Sequence, residues 1–165
     1  MSSAAGFRPL AGSRPRVRVL HLYDRYLNIY ADRGNIDVLR MRGAWRGVDV
    51  DVRGLEPGET FDPGDHDLIY VGGGQDRDQQ MIAERMREDV GASLRAAAEE
   101  GTAILAVCGG YQLLGHYYLD AGGTHQDGVG LFDLTTEAGT GRLVGNIVIE
   151  AELPAIGGRT ACTTS

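Results

Sequence analysis

Apolar residues recur along this chain in two rhythms. "RVRVLHLY" (16–23) is short, rich in β-branched residues and ends at polar ones, which predicts a first strand. After a loop, "NIDVLRMRGAW" places Ile36, Leu39, Met41 and Trp45 towards one face of a helix, with Asp32 or Asn35 available to cap it. "VDVDVR" (48–53) alternates as a strand does, and "GLEPGETFDPGD" carries two Pro-Gly pairs that mark an exposed connection. "DLIYV" (67–71) is the next strand and runs into Gly72, Gly73 and Gly74. "DQQMIAERMREDV" then spaces Ile82, Met86 and Val90 four apart, and "SLRAAAEEG" predicts a further helix ended by Gly101. "TAILAV" (102–107) is an unbroken apolar run of the kind found in strands buried on both faces. A helix is expected over "GYQLLGHYYL", followed by strands in "VGLFDLTT" and "RLVGNIVIEAEL" with no helix between them.

Strands and helices that alternate in this way predict an α/β fold: a mostly parallel sheet with helices on both sides, a flavodoxin-like three-layer sandwich. The late strands are expected to extend the sheet in antiparallel fashion. Ligands in such folds collect beyond the C-terminal ends of the strands. Two of those ends are unusual here, Gly72–Gly74 after one strand and Cys108–Gly110 after the next.

At 165 residues the chain is one domain's worth, enough to bury roughly 70% of the surface its unfolded form exposes. Residues 16–159 are assigned to the domain, 1–15 to a disordered arm, and 160–165 to a polar tail packed on nothing. The net charge of −7 argues against nucleic acid, whose phosphates are bound mainly by Lys and Arg. No apolar stretch approaches the ~18 to 20 residues of a membrane helix, and the N-terminus lacks the apolar centre of a secretion signal. A cytoplasmic protein without membrane insertion is therefore expected. Cys108 and Cys162 lie far apart in unlike contexts, which gives a disulfide framework no support.

Chemistry concentrates at "ILAVCGGYQLLG" (104–115). A residue at a sharp strand-to-helix turn is held in a strained conformation with its side chain projecting, and small neighbours let the backbone close up. Gly109 and Gly110 supply that smallness. The N–H groups of the following helix would favour a thiolate at Cys108. Acyl transfer also needs donors for the oxyanion, which the N–H of Gly109 and that of Gly73 or Gly74 could provide. A free cysteine is more often inert core, and a triple glycine more often a simple turn. Their occurrence together at adjacent strand ends favours the nucleophile. A proton carrier is harder to find. His21 lies in the first strand, His66 on an exposed approach to a strand, and His116 two helical turns past Cys108, pointing away. His125, in the loop "AGGTHQDG", is the one histidine on a segment that could reach the corner, and the sequence by itself offers a nucleophile without a base.

At "CGGYQLLG" the chain resembles the class I glutamine amidotransferases of the cobyric acid synthase-like branch. "LNIYADRGNI" (27–36), "IYVGGGQDRDQ" (69–79) and "RLVGNIVIE" bring it nearest to the glutaminase subunit of lipid II isoglutaminyl synthase. Ala31 stands where the family pattern has glycine. The resemblance implies that Cys108 attacks the side-chain amide of glutamine, forming a glutamyl thioester and releasing ammonia. It implies an oxyanion hole from Gly73 or Gly74 with Gly109, while Gln112 and Arg142 hold the amino acid end of the substrate; an arginine's planar fork suits a carboxylate. No cofactor or metal is implied. Ammonia would pass to a Mur-ligase-like, ATP-dependent partner that amidates the D-glutamate of lipid II, and the chain itself carries no G-x-x-x-x-G-K-[ST] sequence. The family's catalytic histidine lies well downstream of the cysteine, beyond residue 165. The domain is thus expected to lack its C-terminal part, its activity to be impaired, and Cys162 to carry no role. Two alternatives stay open: an inactive subunit that only docks on the ligase partner, and a different cysteine hydrolase or redox sensor on the same fold.

Overall fold

The computed structural model describes residues 14–28, 32–141, 148–153 and 158–163. Four parallel strands form its central sheet: β1 (Arg16–Leu22), β2 (Asp49–Leu55), β3 (Leu68–Val71) and β4 (Ala103–Ala106), in the order β2-β1-β3-β4. Helix α1 (Asp32–Trp45) connects β1 to β2, and α2 (Asp76–Arg85) with α3 (Gly91–Glu99) connects β3 to β4. The chain leaves β1 towards one edge and returns to pair β3 on its other side. This reversal opens a crevice at the C-terminal ends of β1 and β3, where such sheets place their ligands.

Two apolar clusters flank the sheet. One gathers Leu20, Leu22, Ile69 and Val71 with Ile82, Met86, Val90, Leu94 and Ala97 from the α2–α3 side. The other joins Val19 and Tyr70 to Ile36, with Leu39 packed at its margin. The flavodoxin-like sandwich expected from the alternation is the observed architecture. Between α2 and α3 a π-helical turn (Met86–Val90) inserts one extra residue, and all three of Ile82, Met86 and Val90 are buried. Gly101, at φ +91°, ends α3 as predicted.

Several expectations are corrected. Asn28, not Asp32 or Asn35, caps α1, its side-chain oxygen accepting from the Arg33 N–H at 3.1 Å. Asp32 is already helical, and Asn35 donates instead to the Tyr70 hydroxyl. Met41 and Trp45 are exposed, because α1 turns only Ile36 and, in part, Leu39 onto the sheet. β4 is not buried on both faces. Ile104 and Ala106 pack on the core, but Ala103 and Leu105 are exposed, since among the described residues β4 is the sheet's edge and α1 lies over the far strands. His66 is buried rather than exposed, set edge-on against Phe61.

The segment after Cys108 departs most. Helix α4 spans only Gly109–Leu114 and stops at Gly115, after which Tyr117–Leu119 forms strand β5. β5 pairs antiparallel with β6 (His125–Asp127) and parallel with β7 (Thr136–Glu137). Strand β8 (Val148–Leu153) pairs antiparallel with β9 (Gly158–Thr163). These late strands thus build two small separate sheets instead of extending the main one. Of the ending assigned to a polar tail, 160–165, residues Thr160–Thr163 pair with β8, because a backbone ladder does not require apolar side chains; 164–165 lie outside the described residues. Arm residues 1–13 lie outside the described residues.

Candidate active site

The corner after β4 is built by backbone bonds. The Val107 N–H donates to the Val71 carbonyl at 2.9 Å, continuing the β3–β4 ladder by one step. Cys108 then takes φ 51°, ψ −117°, a left-sided conformation that a side chain normally avoids. The next residues turn at once into α4, with the Gly110 N–H on the Val107 carbonyl at 3.0 Å and the Gln112 N–H on the Cys108 carbonyl at 3.2 Å. The cysteine is free and exposed while Gly109 and Gly110 are buried. A thiol at this turn faces solvent, and the backbone behind it is fixed.

Both glycines are dictated by close approach. A methyl group on Gly110 would lie 2.5 Å from the Gly72 carbonyl oxygen and 2.7 Å from that of Val71. On Gly109 it would lie 3.1 Å from the Gly74 nitrogen and would overlap the Gln79 carboxamide. Gly74 in turn backs onto the loop after β1, where a methyl group would meet Leu27 Cδ2 at 2.8 Å and the Tyr26 carbonyl oxygen at 3.4 Å. The ends of β1, β3 and β4 therefore converge. The fold brings Gly74 and Gly109 together beside Cys108; Gly73 lies next to them in the chain. Gln112 is half-buried one turn into α4. Arg142 lies outside the described residues.

The four histidines are occupied elsewhere. His21 stands edge-on to Tyr70 at 5.1 Å between ring centres. His116 Nε2 lies 3.0 Å from Asp133 Oδ1. His125, the candidate for reaching the corner, sits in β6 with its ring 4.7 Å from that of Tyr117 and its Nδ1 3.6 Å from Asp127. Burial holds His66 below the usual histidine range. None of these contacts is with Cys108. Among the described residues no cluster of His, Cys, Asp and Glu is arranged to hold a metal, and no helix is long and apolar enough to cross a membrane.

One residue at the corner was not singled out from sequence. Gln79 is 2% exposed, and its Nε2 donates to the Gly74 carbonyl at 2.8 Å. Its own backbone carbonyl accepts from Gln126 Nε2 at 2.9 Å. The available signal was its place on the buried stripe of α2: Gln79, Ile82, Ala83 and Met86 follow helical spacing, and one of the four is polar.

A strained, exposed cysteine between a strand and a helix thus stands beside the glycine loop that follows the neighbouring strand, at the C-terminal edge of a parallel sheet. Residues 18–163 match the CobB/CobQ-like glutamine amidotransferase domain, and the chain belongs to that family. Its relatives include the GatD subunit of lipid II isoglutaminyl synthase (glutamine-hydrolyzing) from Staphylococcus aureus, 39% identical over 136 residues. That alignment covers 81% of this chain and 55% of the relative. The corresponding subunit from Streptococcus pneumoniae is 33% identical over 138 residues, covering 83% of this chain and 53% of the relative. The cobyric acid synthase of Nocardia farcinica is 33% identical over 112 residues, 62% of this chain and 21% of that protein. The chain thus spans about half the length of the GatD relatives it matches.

Proposed function

We propose that this chain is a glutamine-hydrolysing subunit of the lipid II isoglutaminyl synthase type. The observation that carries the reading is the exposed Cys108 at φ 51°, with the Gly74 nitrogen packed against Gly109 directly behind it. The Cys108 sulfur attacks the side-chain carbonyl carbon of glutamine. The carbonyl oxygen becomes an oxyanion that accepts from the Gly109 N–H and from Gly74, with Gly73 the neighbouring choice. The C–N bond breaks, the nitrogen leaves as ammonia with a proton, and a γ-glutamyl thioester remains. Water then attacks the thioester, freeing glutamate and restoring the thiol. Gln112 and Arg142 hold the substrate's amino acid end. Ammonia passes to a Mur-ligase-like subunit that activates the D-glutamate carboxylate of lipid II with ATP.

Proton transfer sets the rate. Among the described residues none of the contacts given above for the four histidines is with Cys108, and a general base is worth about 10²- to 10⁴-fold to such a step. The test is glutamate release from glutamine by the purified chain, alone and with a Mur-ligase-like partner, beside a Cys108→Ala control. Release that disappears in the control is expected. Release equal in both rejects the nucleophile. Co-purification with the partner, without labelling of Cys108 by a glutamine-analogue electrophile, would favour a docking role.

A further inference from the structure

We propose that Gln79 is a positioning residue for the oxyanion hole: its buried carboxamide sets the gap between the glycine loop after β3 and the Cys108–Gly109 corner. The inference rests on the glutaminase reading and deepens it. Three contacts converge on this one residue. Its Nε2 donates to the Gly74 carbonyl at 2.8 Å, which fixes the peptide orientation at the end of the loop. The same carboxamide abuts Gly109 so closely that a methyl group there would overlap it. The residue's main chain is anchored from the opposite direction by Gln126 of β6 at 2.9 Å. Gln79 therefore touches both amide-bearing halves of the hole.

Packing alone does not account for a glutamine here. Its neighbours along the stripe, Ile82, Ala83 and Met86, are apolar and equally buried. Oε1 of Gln79 is buried and accepts no hydrogen bond among the described residues. An unsatisfied buried acceptor is a cost that methionine or leucine of similar volume would avoid. The carboxamide gives in return a donor at Gly74, and it bears on no catalytic atom itself. Without that donor the Gly74 carbonyl loses its buried partner, and the loop is free to turn its amides away from the position an oxyanion takes.

The test compares two electrophiles on Cys108 of the full chain, read by intact mass. Iodoacetamide alkylates the thiolate directly, with no tetrahedral oxygen. A glutamine-like chloromethyl ketone is taken up through attack on its carbonyl, which generates an oxyanion. In Gln79→Met, chloroketone labelling should slow by about 10- to 100-fold while iodoacetamide labelling stays within about threefold, below the 10²- to 10³-fold cost of deleting a donor outright. Gln79→Glu provides a second handle. Its protonated acid can donate to the Gly74 carbonyl and its carboxylate cannot, so the ratio of the two labelling rates should fall with rising pH more steeply than in the parent. Equal losses with both reagents, or no loss with either, overturn the proposal, as does a Gln79→Glu pH profile parallel to the parent's. A parent chain that reacts with iodoacetamide but never with the chloroketone overturns the glutaminase reading and this one with it. Normal chloroketone labelling in both variants removes only the role of Gln79.

Discussion

Replacing Cys108 by glycine should make the protein more stable than replacing it by alanine. Elsewhere in a strand-to-helix turn the order would be reversed, because glycine loses more backbone freedom on folding, a penalty of about 0.5 to 1 kcal/mol against alanine. At φ 51°, ψ −117° the alanine β-carbon retains the steric conflict that the cysteine has, and glycine does not. Such conformations cost about 1 to 3 kcal/mol per residue. Subtracting the entropic penalty leaves glycine ahead by up to about 2.5 kcal/mol. The thiol is exposed, so its removal should contribute little, and alanine should stay within about 0.5 kcal/mol of the parent. Thermal unfolding followed by circular dichroism reads the difference, since 1 kcal/mol moves the midpoint by about 2 to 4 °C in a chain of this size. Gly101→Ala serves as a reference. It introduces a β-carbon at φ +91° with open space around it, so its loss isolates backbone strain from crowding. If Cys108→Ala matches or exceeds Cys108→Gly while Gly101→Ala is clearly destabilised, the corner is not strained and the reasoning fails.

Gly110→Ala should destabilise the fold by about 1 to 3 kcal/mol and depress chloroketone labelling of Cys108, because the added methyl must push the Val71 and Gly72 carbonyl oxygens aside; denaturant titration together with labelling checks it. Met86→Ala, emptying a fully buried position at the π-helical turn, should cost about 2 to 5 kcal/mol by the same titration. His66 should make stability acid-sensitive. Its folded pKa lies below the unfolded value near 6.5, so the unfolded chain binds the extra proton first. Its contribution is complete above about pH 6.5 and shrinks as pH falls towards the folded pKa, at up to about 1.4 kcal/mol per pH unit; His66→Phe should flatten that part of the stability–pH curve.

The parallel core was legible because β1 and β3 lie in the middle of the sheet, where the buried half of β1 (Val19, Leu20 and Leu22, with His21) and "LIYV" are largely apolar on both faces. The cysteine corner was legible for a related reason: two glycines after a strand-ending cysteine have few structural uses other than close backbone approach. Failures occurred where a local pattern was overruled by its surroundings. "TAILAV" is apolar enough for a central strand, yet the helix that covers one face stops short of it. "GYQLLGHYYL" has helical spacing, but Gly115 breaks it and the two tyrosines prefer a pleated surface. His66 follows two Pro-Gly turns that mark solvent, although its own ring turns inward onto Phe61. Gln79 stayed hidden because a polar residue on an apolar helix stripe is readable only when its hydrogen-bond partner is known.

Cys108 and the Gly74 amide beside its corner hang from neighbouring strands joined by one ladder of four register pairs, Leu68 with Ala103 through Val71 with Ala106. They behave like the two jaws of a caliper on a single rail. The ladder fixes their spacing along the strands, and the small sheet of β5 to β7 bears on it through the Gln126 bond to the Gln79 carbonyl. The vulnerability is equally local: a substitution that lets β4 slip along β3 would misalign the jaws while leaving every remaining layer intact.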